Sequence, residues 1–262
     1  MTHQAAALFD PPWQWPAAAA LPAAGDCEVW RLDLDADEGV GQALRGDGPL
    51  DASELARARR FVFEHDGRRF VAARLALRRI LGAALGCAPA ALAIDAPPLQ
   101  RPRVAGAAGI DFSLSHSGRL ALVAVARAAP LGVDVEEWRP VPDAAALAAR
   151  LFTAAECETL RAAAQDGQPV SAAEAAFLTC WTRKEAVLKS TGLGLSVEPR
   201  TVAVGATAAQ HDLRFAGCGG EGGIGNEVLL RVRSFAVGPE GVGAIALPPR
   251  LRVSRWLRGP PA

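Results

Sequence analysis

Trp181-Thr-Arg-Lys184-Glu185-Ala-Val-Leu-Lys189-Ser-Thr-Gly192-Leu-Gly194 is the stretch around which the rest of the chain is organised. It reads as a helix with a glycine-rich exit. Residues three and four apart share a helix face, so Glu185 and Lys189 project together. Trp181 and Leu188 fall on one side and anchor the helix to a core. An acid and two cations on a packed helix suit a site that handles phosphate and metal. They suit a solvated face with an ordinary ion pair equally well, so the meaning of the stretch depends on partners elsewhere.

Composition narrows the classes. The chain has 262 residues, half of them apolar, which is ample for a core and unlike a disordered chain. No apolar run reaches the roughly 18 residues of a membrane span, and Met1-Thr-His-Gln lacks the opening of a secretory signal. The five cysteines are scattered without a CxxC pair, which argues against a disulfide framework or a zinc site and for a reducing, cytoplasmic setting. Lys plus Arg equals Asp plus Glu at 28 each, so no global field points to nucleic acid. The arginines are nonetheless dense between Arg57 and Arg79.

Residues 1–26, rich in Ala and Pro, read as an irregular arm. Glu28 to Asp35 alternates as a strand. Ser53 or Asp51 caps a short helix, a break is expected at His65-Asp66-Gly67, and a longer helix follows from Arg68 to Leu85 with its arginines largely on a solvated face. Pro97 to Gly109 is a loop. Ile110 to His116, Leu120 to Ala126 and Leu131 to Glu137 read as a three-stranded meander. Asp143 to Arg150 is a helix, and Thr153 with Glu156 forms a capping box for the next. The organising helix spans Ser171 to about Ser190. Val202 to Val204, Asp212 to Phe215, Glu227 to Phe235 and Val242 to Leu247 read as strands, Gly219 to Gly223 as a loop or hairpin end, and Arg252 to Arg258 as a basic tail. The class is α+β, in two comparable halves: 27–130 and 131–262.

Asp134 and Glu136 lie two apart in a strand, so both carboxylates point to one side. Adjacent carboxylates repel unless a cation or proton sits between them, and hard oxygen ligands suit Mg²⁺. A polar surface strand explains the pair as simply. Glu185 adds a third carboxylate, and Lys184 and Lys189 beside it suit phosphate. His116, between Ser115 and Ser117, follows a strand, but no Ser-His-Asp order or nucleophile elbow occurs. An enzyme built on these residues takes its attacking group from a substrate.

Together, Gly132-Val-Asp134-Val-Glu136 and the downstream Trp181-Thr-Arg-Lys184-Glu185-Ala-Val-Leu-Lys189 resemble the paired signatures of the surfactin-type 4′-phosphopantetheinyl transferases. Phe112-Ser-Leu-Ser115-His116-Ser117-Gly118 is similar to the family's preceding segment. The resemblance implies two similar α/β halves about a pseudo-twofold, with coenzyme A in the cleft between them. It implies Asp134, Glu136 and Glu185 as ligands of Mg²⁺, and Glu185, Lys189 and Lys184 as the residues of transfer. Ser115, His116, Arg57, Arg69 and Arg101, with the two lysines, are the implied coenzyme A contacts. The implied reaction moves phosphopantetheine to a serine of an apo acyl or peptidyl carrier protein, of a fatty-acid, polyketide or nonribosomal-peptide system, releasing 3′,5′-ADP. The implied enzyme is a cytoplasmic monomer that needs neither nucleic acid nor membrane. Two other readings stay open: a carrier-docking module of the same fold, and another Mg²⁺-dependent nucleotide enzyme.

Overall fold

A computed structural model describes residues 20–36, 39–95, 97, 101–107, 109–163, 172–192, 197–206, 210–218 and 224–258. Two four-stranded sheets organise them. The first has the order β10-β1-β5-β4, built from β1 (Asp26–Asp33), β4 (Ile110–Ser117), β5 (Leu120–Arg127) and β10 (Arg252–Arg258). The second has the order β6-β9-β8-β7, from β6 (Gly132–Glu137), β7 (His211–Cys218), β8 (Ile224–Ala236) and β9 (Gly241–Leu247). A small pair joins β2 (Ile94–Asp95), just before the expected Pro97–Gly109 loop, to β3 (Arg103–Val104) within it. The helices are α1 (Val40–Leu44), α2 (Ala52–Ala58), α3 (Glu64–Leu85), α4 (Ala144–Leu151), α5 (Ala154–Ala163) and α6 (Ala172–Thr191).

Strand alternation explains the layering. In β5, Leu120, Leu122, Ala124 and Ala126 join Val29, Val133, Val135 and Ile245 in a core between the sheets. The intervening Ala121, Val123 and Val125 pack with Leu75, Leu77 and Leu81 of α3 on the outer side. In β9, Val242, Ala244 and Ala246 likewise meet Leu178, Val187 and Leu188 of α6. Each such aliphatic side chain contributes about 1.5–3 kcal/mol by burial. The expected mixed α+β class in two halves is present, each half a sheet backed by one long helix.

Several expectations change. The chain does not break at His65-Asp66-Gly67: α3 begins at Glu64, and a Cβ on Gly67 would come within 2.9 Å of the Ala58 carbonyl oxygen. Gly67 therefore serves close packing against α2. Arg78 is not on a solvated face. It is 1% exposed and donates to Glu54, Asp51 and the Pro89 and Leu92 carbonyls. Asp51 caps α2 and forms a capping box with Glu54. The three-stranded meander is a hairpin only, because β6 leaves β4 and β5 to pair with β9 in the other sheet. Val202 to Val204 is not a strand: the Val202 carbonyl accepts from Lys184 and the Val204 amide donates to Glu156, so side chains take the place of a ladder. The basic tail is β10, which pairs in parallel with β1 and carries the end of the chain out of the second half and back to the first sheet. The expected Gly219–Gly223 loop and most of the N-terminal arm lie outside the described residues.

Candidate functional site

The two sheets meet edge to edge through serines. Ser113, Ser115 and Ser117 share one face of β4, at strand period two. Ser113 Oγ accepts from the Val133 amide (3.1 Å) and Ser117 Oγ from the Glu137 amide (3.2 Å). Ser115 Oγ donates to Asp134 Oδ1 and Ser117 Oγ to Glu136 Oε2, each over 2.6 Å. The hydroxyls thus bond the open edge of β6 and orient the carboxylates of Asp134 and Glu136.

Helix α6 lies against the same face of β6. Gly132 permits this: a Cβ there would lie 2.0 Å from the Ala186 carbonyl oxygen and 2.5 Å from the Ser190 nitrogen. The close approach brings Lys189 Nζ to 2.6 Å from Asp134 Oδ1 and 2.9 Å from Ser115 Oγ. The other oxygen, Asp134 Oδ2, is buried without a hydrogen-bond partner. Glu136 also meets Arg139 at 3.4 Å. Glu185 is half-buried on the Lys189 face of α6, and its carboxyl is pushed above the ordinary range by burial first and by the negative fields of Asp134 and Glu136 next; Lys189 opposes the rise.

A cleft of about 820 Å³ opens beside this cluster. Arg57, Arg60, Arg101, His116 and Lys189 are among its lining residues, so it presents cations from both halves. Arg57 stacks over Phe70 at 5.1 Å. Arg101 donates to the Leu131 (2.8 Å) and Ser190 (3.3 Å) carbonyls and so ties its loop to the second half. The His116 ring is exposed to the cleft, but the cleft walls withdraw it from bulk water. That desolvation, and then the Lys189 and Arg57 cations, hold its pKa below 6.5.

Two sequence-predicted residues are elsewhere. Lys184 is fully buried on another face of α6, where its ammonium donates to Glu156 (2.8 Å) and to the Pro199 (3.0 Å) and Val202 (2.6 Å) carbonyls. All three donors are spent, so Lys184 is a structural lysine and not a phosphate ligand. Burial alone would raise the Glu156 carboxyl, but Lys184 and the neighbouring amides together bring it below its ordinary value. Arg69 forms a two-pronged pair with Asp35, both bonds at 2.8 Å, and is absent from the cleft lining. Conversely, Arg60 lines the cleft, and Ser113 and Ser117 clip the strands. The signals for these were the i,i+3 spacing from Arg57 and the alternating serines.

Among the described residues no three His, Cys, Asp or Glu side chains converge as a ready metal cage. The donor set still fits a hard cation. An orphaned buried carboxylate oxygen and carboxylates that sense one another's charge suit Mg²⁺, which takes one or two carboxylates and completes its shell with water and substrate phosphates.

Family models match both parts of the chain: the 4′-phosphopantetheinyl transferase superfamily over residues 130–217, and the 4′-phosphopantetheinyl transferase N-terminal family over 48–128. Similar proteins include the 4′-phosphopantetheinyl transferase HetI of a Nostoc species, 39% identical over 174 residues, covering 65% of this chain and 70% of that one. The 4′-phosphopantetheinyl transferase of Bacillus subtilis is 26% identical over 170 residues, 65% of this chain and 72% of its own. The 4′-phosphopantetheinyl transferase psf-1 of Bacillus pumilus is 34% identical over 141 residues, 54% of this chain and 57% of its own.

Proposed function

The chain belongs to the 4′-phosphopantetheinyl transferase superfamily, and from that premise we propose how its cleft performs the transfer. The enzyme moves the 4′-phosphopantetheine group of coenzyme A to a carrier protein. In our reading a carrier serine oxygen attacks the β-phosphorus of the coenzyme A diphosphate. A new P–O bond forms, the bond to the bridging oxygen breaks, and 3′,5′-ADP leaves. Such a reaction needs positioning and charge neutralisation rather than a protein nucleophile, consistent with a site that has none.

The observation that carries this reading is the Asp134–Lys189 pair beside a cationic cleft. Arg57, Arg60 and His116 hold the nucleotide and its 3′-phosphate, and Arg101 shapes the floor between the halves. Lys189 turns from Asp134 to the diphosphate as charge develops there. Asp134, Glu136 and Glu185 would hold Mg²⁺, which supplies charge neutralisation to the diphosphate when bound. Glu185 or a water beside it takes the serine proton. The protein acts as a monomer in the cytoplasm, on carriers of polyketide or nonribosomal-peptide synthesis.

The test is incubation with coenzyme A and a panel of apo carrier proteins, with Mg²⁺ or with EDTA. We expect a mass gain of one phosphopantetheine per carrier, equimolar 3′,5′-ADP, and loss of both in EDTA. No gain on any carrier refutes the reading, and full activity in EDTA refutes the metal.

A further inference from the structure

Glu137 follows the two carboxylates of β6 but does not join them. By strand period its side chain leaves β6 on the side of Val133 and Val135, away from Asp134 and Glu136. Its Oε1 accepts from the Arg119 amide over 2.7 Å, at the turn between β4 and β5. Gly118 makes room for it: a Cβ there would overlap the Glu137 carboxylate, and the backbone is left-handed, at φ +52°.

The same turn carries Ser117. Its Oγ accepts from the Glu137 amide (3.2 Å) and donates to Glu136 Oε2 (2.6 Å). The other contact of Glu136 is Arg139, at 3.4 Å and with its side chain 51% exposed, so Ser117 is the firmer restraint. The Arg119 guanidinium does not compete for Glu137, because it goes to Asp33 (2.9 Å) and towards Glu240 (3.8 Å). The end of β6 is fixed separately, by the Trp138 amide donating to the Glu240 carbonyl at 2.7 Å. What Glu137 holds is therefore the turn. An amide-to-carboxylate bond is about twice as strong as a neutral one, which suits it to that task.

We infer that Glu137 is a positioning residue of the transfer site: it locks the β4–β5 turn and so sets the Ser117 hydroxyl that aims Glu136. This rests on the transferase reading, with Glu136 as a ligand of Mg²⁺. The inference separates reach from charge. Glu137→Asp keeps the charge but shortens the arm that reaches the turn. Glu137→Gln keeps the arm and an acceptor oxygen but loses the charge. A residue that acted as a further metal ligand, or by its field alone, would respond in the opposite order.

The test measures Mg²⁺ affinity by calorimetry on the coenzyme A complex without carrier, beside turnover and thermal midpoints. We expect Glu137→Asp and Ser117→Ala each to weaken Mg²⁺ binding about tenfold, as for loss of a group that orients a ligand. The Mg²⁺ needed for half-maximal turnover rises in parallel, and the thermal midpoints stay near that of the wild type. Glu137→Gln retains most of the affinity. The double variant Ser117→Ala/Glu137→Asp is no worse than Ser117→Ala, because the one residue acts through the other. Unchanged affinity in Glu137→Asp overturns the inference, as does a larger loss in Glu137→Gln than in Glu137→Asp, or additive losses in the double variant. If Glu137→Asp fails to fold, Gly118→Ala, which displaces the carboxylate instead of shortening it, carries the same comparison. A wild type that binds no Mg²⁺ refutes the metal reading and this inference with it; a wild type that binds Mg²⁺, with unaltered variants, refutes only the role of Glu137.

Discussion

Lys189 and Asp134 form a 2.6 Å ion pair that uses one carboxylate oxygen and leaves the other buried and unpartnered. Helix α6 supplies the lysine and strand β6 the acid, and Gly132 sets their separation. In the proposed reaction the pair exchanges partners: the lysine for a phosphate, the acid for a cation.

Removing a carboxylate should therefore cost rate and not fold. Asp134→Asn and Glu185→Gln are expected to lose at least about a hundredfold in kcat, with thermal midpoints near that of the wild type and weakened Mg²⁺ binding by calorimetry. Full activity in either variant would remove that residue from the site.

The two lysines of α6 should behave oppositely. Lys184→Met strands the Glu156 carboxylate, which is 2% exposed, and should destabilise by about 3–5 kcal/mol. At a temperature where it remains folded, its coenzyme A KM should match the wild type. Lys189→Met should keep its thermal midpoint and lose turnover. Denaturant melts beside steady-state kinetics decide this, and a stable but inactive Lys184 variant would return it to the site.

His116 has a native pKa held below 6.5, so it is neutral at pH 7. The unfolded chain then binds the proton more readily than the native one, and stability falls as pH drops from 6.5 through the lower native value. A bound phosphate should raise that pKa. Imidazole NMR titrations with and without coenzyme A measure both; an unshifted resonance on binding would place His116 away from the phosphates.

Gly132→Ala forces α6 off β6, because the new methyl would overlap the Ala186 carbonyl and the Ser190 amide. We expect destabilisation of a few kcal/mol by overpacking, together with a fall in kcat larger than that of a neutral core substitution. A variant with wild-type kinetics and stability would show that the spacing is not needed.

Much was legible locally. Strand period placed Asp134 and Glu136 on one side, helix period put Glu185 with Lys189, and the Thr153–Glu156 capping box is present with bonds of 2.8 and 3.3 Å. These depend on neighbours in sequence. Lys184 was misread because helix neighbours diverge by about 100° around the axis, and only the packing of α5 and of the Val202 loop decides which face is wet. Arg69 and Arg78 were misread for the same reason: their partners, Asp35, Asp51 and Glu54, lie a loop or a helix away.

What the sequence by itself determined, then, was the residue types and the spacing that bring three carboxylates and a lysine to two elements, and the family those signatures mark. The tertiary structure decided which side chains meet. It turned β6 out of the meander so that the edges of two sheets face each other through three serines. It sank one lysine and left the other at the cleft. Periodicity fixes the faces of an element, whereas contacts between faces far apart in the chain are set by how the layers close over a common core.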